Sequence, residues 1–404
     1  MISLAEARSF VLSHCQPNPP EDIPLSEALG CVTAVAIFAD APVPPFANSA
    51  MDGFAVRAAD TVDAPVRLKV TGQLPAGTAP TMEVGEGEAV RIMTGAPVPP
   101  GADAVVMIEQ VEVESDGDVV RITAPVEKGI HVRPAGQDLS PGQLVFPALT
   151  ELGPGHLGVL ASLGMTDLPA YPRPRVGVLS TGDELVDGPG ELGPGQIRDS
   201  NRHTLLALVR QLGLEAVDLG LIADDEKAIS RAVERGVGEC DLLITSGGVS
   251  MGDLDHVKTV LDRLGGQSMR WMQIAIKPAH PLAFGVVAGK PVFGLPGNPV
   301  SAMVSFELFV FPAIRQIMGH EFAARAAVPA IADEPLPRAK DGKVHYFRVQ
   351  ATHLSDGRFH VKPAGGQASN LLRTMALANA LAVIPDGPGI AAGESVDVLL
   401  LDYR

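Results

Sequence analysis

DLLITSGGVSMGDLD, residues 241–255, begins as an apolar run and ends in a cluster of glycines, hydroxyls and carboxylates. Leu242, Leu243 and Ile244 suit a buried strand, and Thr245 to Gly248 stop it with small residues. Val257, Val260, Leu261 and Leu264 recur on one face, so the segment from Asp255 to Leu264 is expected to be a helix. A strand, glycine turn and helix in succession can hold an anion. Gly247, Gly248 and Gly252 let backbone N–H groups come close, and the helix adds the positive end of its dipole. Asp253 and Asp255 would repel a phosphate there, so a divalent cation between carboxylate and phosphate is expected. A plain glycine turn with a capping aspartate fits the same residues, and the neighbouring segments have to decide.

Those neighbours alternate. RVGVLSTGDEL, residues 175–185, is an apolar strand that ends in Thr181, Gly182, Asp183 and Glu184. An amphipathic helix follows over Asn201 to Leu212, a strand over Val217 to Ile222 and a helix over Lys227 to Val237. This alternation predicts a doubly wound, mostly parallel α/β sheet, whose ligand lies beyond the C-terminal strand ends. The ends carry Glu184, Asp224, Asp225, Asp253 and Asp255, an acidic rim suited to a cation. Further on, IAIKPAHP (274–281) brings Lys277 and His280 as positive charges, and a strand is expected over Pro291 to Phe293. GLPGNP (294–299) is a rigid turn with Pro299 in the first turn of a helix reaching about Ile317.

The flanks are different in kind. Ser3 to His14 suits a helix, Leu25 to Leu29 a second short helix and Val32 to Phe38 a strand. DAPVPPFANSAMDGFAV (40–56) is forced into an extended path by its prolines and then turns at Asn48 to Gly53. From about Val66 to Val126, β-branched and polar positions alternate, as expected of an antiparallel β domain, with Thr94 at a glycine turn. Asp138 sits in another such turn, VRPAGQDLSPGQ, and Pro172 to Pro174 mark a hinge. From Pro329 the chain is again β and is expected to form a small barrel. Arg348 lies inside one of its strands and Ser369 in a polar turn. Taken singly, most of these residues are accounted for by structure alone.

Composition excludes several classes. A net charge of −16 with 4% aromatic residues argues against nucleic-acid binding, which needs basic faces and stacking platforms. Cys15, Cys31 and Cys240 are far apart, which supports neither a disulfide framework nor a zinc site and suits a reducing cytoplasm. No uninterrupted run of about 18 apolar residues marks a membrane span, and Glu6 and Arg8 interrupt the N-terminus where a signal peptide would be apolar.

PPFANSAMDGFAV, RIMTGAPVPPGADAVV, GVLSTGDELV, LLITSGGVSMGDLDHVK, IKPAHP and GLPGNPVSA occur in this order. Together they resemble the molybdopterin molybdotransferase family, which includes the E domain of gephyrin. The resemblance implies an enzyme that inserts molybdate into adenylylated molybdopterin and releases AMP, with Mg2+ as the metal. It implies a homodimer whose cleft lies at the subunit interface, and a molybdopterin adenylyltransferase as a further partner. It implies domains at 1–40 with 130–170, at 41–129, at 171–325 and at 326–404. The polar cleft positions it matches are Asp52, Thr94, Asp138, Glu184, Asp225 and Asp255, the first three reaching in from the second subunit. Glu184, Asp253 and Asp255 would ligate the metal. Gly247, Gly248, Ser250, Gly252, Pro296 and Pro299 would hold the pterin substrate, and Lys277, His280, Pro281, Arg348 and Ser369 would line the molybdate pocket. His280 stands where the family usually carries a lysine. Two other activities fit parts of the sequence: a scaffold that binds molybdopterin without turnover, and a molybdopterin adenylyltransferase. The flanking β domains and the MDG segment argue against the second.

Overall fold

The strand at the head of the 241–255 stretch is Leu242–Ser246, buried along its whole length and central in a six-stranded sheet. The computed structural model of the chain describes residues 1–114, 117–248, 256–321 and 324–401. Ser250, Gly252, Asp253 and Asp255 lie outside the described residues. The chain divides into two compact units, one of residues 1–22 and 169–404, the other of residues 23–168.

In the larger unit the strands run in the order Ala216–Ile222, Val176–Thr181, Leu242–Ser246, Lys290–Leu295, Pro281–Val287 and Arg270–Gln273. The first four are parallel, and Pro281–Val287 runs antiparallel to both of its neighbours, Lys290–Leu295 and Arg270–Gln273. Alternation along each strand divides the apolar side chains between two faces. Val176, Val178, Leu242 and Ile244 pack with Leu205, Leu206 and Val209 of the helix Asn201–Gln211. Leu179 and Leu243 pack on the other side with Ile229 and Val233 of Glu226–Glu239 and with Val257, Val260 and Leu261 of His256–Gly265. Helices therefore cover both faces. Truncating Leu243 to alanine would remove contacts in a dry, close-packed layer, a loss of about 2–5 kcal/mol.

The antiparallel strand Pro281–Val287 is an element that the sequence reading does not contain. Val287 pairs with Lys290 across Ala288 and Gly289, both with positive φ (48° and 80°), as a tight two-residue hairpin requires. The helix after Asn298 runs from Pro299 to Ile317 with a π-helical turn over Phe306–Val310. It is apolar and long enough to cross a membrane by length and composition, yet 89% of its most apolar window is buried inside the protein.

The C-terminal strands close on themselves. Val344–His353, Phe359–Pro363, Ala327–Ala332, Ser395–Leu400 and Ala380–Ile384 pair in this order, and the last pairs back to the first. This five-stranded barrel has Val349, Val361, Ala382 and Val398 among its core residues. Ile276–Lys277 adds to its outside, parallel to Val344–His353, with Lys277 in register with His345.

The smaller unit holds a six-stranded sheet in the order Ala104–Met107, Gly53–Val56, Glu88–Ile92, Val66–Leu74, Val119–Ile122 and Val111–Val113. Its pairings are antiparallel except one: Val66–Leu74 and Glu88–Ile92 run parallel, because the chain crosses back over residues 75–87 before the second strand begins. Gly53 opens its strand where a Cβ would lie 2.0 Å from the Val106 carbonyl oxygen, so the glycine after Asp52 is set by close backbone approach. The expected strand Val32 to Phe38 is two short ones, Val32–Thr33 and Ile37–Phe38. All three cysteines are buried and none forms a disulfide among the described residues, and burial pushes the Cys15 thiol up to about 12 and that of Cys240 to about 11.

Candidate active site

A cavity of about 550 Å3 opens at the C-terminal ends of the parallel strands. Thr181, Ser246 and Gly247 reach it from strand ends, Ser200 and Asn201 from the start of one helix, and Asn298 and Pro299 from the start of another. Neither N-cap side chain, Ser200 or Asn298, is spent on its helix. Two helix N-termini thus point their positive dipole ends at one space, which favours an anion, although the Arg202 N–H is spent on Asp199 and the Val300 N–H on the Ser369 carbonyl.

Asn201 locks this arrangement by donating from Nδ2 to Ser246 Oγ at 2.8 Å and to the Gly297 carbonyl at 2.8 Å. Gly247 behaves differently from the sequence expectation. Its N–H donates to the Leu295 carbonyl at 3.2 Å and so is not aimed at a ligand. Its φ is +93°, and a Cβ there would meet the Thr181 carbonyl oxygen at 2.6 Å, so strand packing requires the glycine. Gly248 also has a positive φ, 67°.

The acidic rim separates into different roles. Glu184 lines the cavity, its carboxylate close against Gly182. Asp225 accepts from the Ala228 N–H at 2.9 Å and caps the helix Glu226–Glu239, while Asp224 donates its own N–H to Asp183. Asp199, fully buried as a side chain, is held by Arg202 and by the Ser180 hydroxyl. Asp187 and Asp218 also pair with Arg202, and these carboxylates hold its guanidinium charged. Among the described residues no group of three or more His, Cys, Asp or Glu side chains converges on a metal position. Magnesium fits this donor set in one way, since it keeps several waters and is bound through one or two carboxylates plus substrate phosphates. Glu184 would supply one of these carboxylates.

A second cavity, of about 760 Å3, shares Asn298 with the first and has Ser369 in its wall where the first has Asn370. Lys277, His280, Pro281, Arg348 and Ser369 all line it. The barrel brings these distant residues together, because Lys277 pairs alongside the strand that carries Arg348. Arg348 is 1% exposed, donates weakly to the Tyr346 and Gly366 carbonyls and at 3.1 Å to that of Ala368, and leaves Nε without a partner. Burial lowers its pKa to about 10. A buried cation with an unsatisfied donor, in the wall of a cavity, favours an anion beside it. His280 Nδ1 lies 2.7 Å from the Ile274 carbonyl, which can only accept, so that nitrogen carries the proton and Nε2 is left to the cavity.

Asp52, Thr94 and Asp138 belong to the smaller unit. Thr94 donates its backbone N–H and its hydroxyl to Asp52 Oδ1, each at 2.7 Å, which holds that carboxyl below the usual range. Asp138 lines a separate cavity of about 450 Å3 with Asn48 and Arg133. Pro296 lines neither of the two cavities of the larger unit. The sequence reading assigned no role to Asn201, Asn298, Asn370, Arg338 or His345, although Asn298 lies within the quoted GLPGNPVSA motif.

Residues 2–164 match the MoeA N-terminal region (domain I and II), residues 177–316 a probable molybdopterin binding domain and residues 330–401 the MoeA C-terminal region (domain IV). The chain is 38% identical to a molybdopterin molybdenumtransferase of Haemophilus influenzae, with 98% of each chain covered. It is 34% identical to that of Bacillus subtilis, covering 99% of this chain and 94% of the relative. The crystal structure of the molybdopterin biosynthesis MoeA protein from Pyrococcus horikoshii superposes with a TM-score of 0.81 at 30% identity, over 99% of this chain and 100% of that one. Identity at this level over essentially the whole length of both chains, with all three regions in order, places the chain in the MoeA family of molybdopterin molybdenumtransferases.

Proposed function

We propose that the chain transfers molybdenum from molybdate to adenylylated molybdopterin, releasing AMP and forming the molybdenum cofactor. One observation carries the assignment: the buried Arg348, whose Nε has no partner, lines a cavity that shares a wall with the cavity at the strand ends. A small oxyanion and a phosphate ester therefore have adjacent places.

Lys277, His280, Arg348 and Ser369 bind and orient molybdate, and Pro281 shapes its pocket. Ser246, Asn298 and the helix start at Pro299 hold the phosphates, with Gly248, Ser250, Gly252 and Pro296 as further substrate-binding residues. A magnesium ion held by Glu184, with Asp253 and Asp255 as further ligands, would neutralise charge that develops as the phosphoanhydride is cleaved. Asp225 orders the rim by capping its helix. No side-chain nucleophile is needed, since molybdate oxygen or water can attack phosphorus.

The reading extends to a homodimer, in which Asp52, Thr94 and Asp138 complete the cleft of a second copy. It extends also to domains at 1–40 with 130–170, 41–129, 171–325 and 326–404, to a cytoplasmic location, and to a molybdopterin adenylyltransferase that supplies the substrate. Incubation with adenylylated molybdopterin, molybdate and MgCl2 tests the function, with AMP and pterin-bound molybdenum measured. AMP release that depends on molybdate is expected. Binding without AMP release would leave a scaffold, and consumption of ATP with molybdopterin would leave an adenylyltransferase.

A further inference from the structure

Among the described residues that line the strand-end cavity, Arg198 is the cation. Its backbone is fixed: Arg198 pairs with Val186 in a two-stranded ribbon, the next residue Asp199 is pinned by Arg202 and Ser180, and Ser200 begins a helix. Its side chain is not fixed in the same way. It is exposed, and its guanidinium donates to the Gly190 carbonyl of its own loop and forms no ion pair among the described residues. The cavity wall also holds the Glu184 carboxylate, in a chain of net charge −16. A ligand with two phosphates brings more negative charge than helix N-termini alone can balance, and a guanidinium binds phosphate through two parallel N–H donors.

We propose that Arg198 is a phosphate-positioning residue that binds the phosphoanhydride of the adenylylated substrate; this rests on the function proposed above. It turns from Gly190 onto the nucleotide phosphate in the cavity that it lines together with Asn201 and Pro299, and holds the phosphorus for attack.

Titration calorimetry with ADP as the probe tests this on the full chain, comparing wild type, Arg198→Gln and Arg198→Lys, with molybdate binding measured on the same samples. Arg198→Gln is expected to weaken ADP at least tenfold and flatten its salt dependence, while molybdate affinity stays within twofold, which also reports an intact fold. Arg198→Lys should recover part of the loss. In turnover, Arg198→Gln should raise KM for the adenylylated pterin more than it lowers kcat. ADP affinity of Arg198→Gln within twofold of wild type overturns the proposal, as does wild type that binds no ADP. Wild type that binds ADP through Arg198 yet never releases AMP from adenylylated pterin would overturn the proposed reaction and leave the phosphate contact standing.

Discussion

Asn201 and Ser246, side by side at the ends of a helix and a strand, are joined by a 2.8 Å hydrogen bond from Nδ2 to Oγ, and the same amide nitrogen holds the Gly297 carbonyl. One side chain therefore fixes the spacing of the two helix starts and the strand end between which a phosphate would sit. Asn201→Ala is expected to lower kcat/KM for the adenylylated pterin by about tenfold, the scale of one or two lost hydrogen bonds at a preorganised site. Molybdate affinity, read by calorimetry, should stay within twofold. A variant that weakens both equally would show that Asn201 supports the fold and not this site.

Arg348 separates stability from binding. Its folded pKa lies below that of the unfolded chain, so its charge opposes folding below about pH 10, and stability rises as pH climbs through that value. Arg348→Met keeps much of the volume and removes the buried charge. We expect an unchanged or higher Tm and a loss of molybdate affinity of at least tenfold. A lower Tm with unchanged affinity would refute the assignment of this side chain to the oxyanion.

Asp52 owes its lowered pKa first to the Thr94 N–H and then to the Thr94 hydroxyl. The folded value lies below the unfolded one, so this contribution to stability is present above about pH 4, the ordinary carboxylate range, and is lost as pH falls through the folded pKa. Thr94→Val retains the N–H and deletes the hydroxyl. NMR titration of the Asp52 carboxyl carbon should show its pKa raised towards the ordinary value. No change would mean that the hydroxyl bond does not persist in solution.

His360 is bracketed on the barrel surface by Asp333 (2.6 Å from Nδ1) and Asp356 (3.1 Å from Nε2), and the two carboxylates raise its pKa. A raised folded pKa gives stability that is fully present below about 6.5, the unfolded value, and is lost as pH rises through the folded one. His360→Gln should therefore lower Tm more at pH 5.5 than at pH 8.5. An equal loss at both pH values would assign the effect to packing.

How much was legible follows the range of the forces involved. The strands Val176–Thr181 and Leu242–Ser246 and the helices beside them are written locally, in apolar runs and a 3.6-residue period. Pro281–Val287 was not, because its strand character depends on a tight hairpin at Ala288 and Gly289 and on neighbours on both sides. The helix Pro154–Ser162 escaped for a similar reason, since three of its nine residues are proline or glycine and its apolar face is weakly marked. Of the acidic rim, residue type alone could not separate Glu184, which faces the cavity, from Asp225, which caps a helix.

The sequence by itself determined the alternating α/β order, the β-rich flanks and the motif series that marks the family, because each depends on residues close together in the chain. Only the tertiary structure decided that Lys277 and Arg348 share a cavity, that the N–H of Gly247 is spent on Leu295, and that Asn201 spaces two helix starts. Those outcomes come from barrel closure and strand packing between segments far apart in sequence, where geometry, and not local preference, sets which polar groups remain free to meet a ligand.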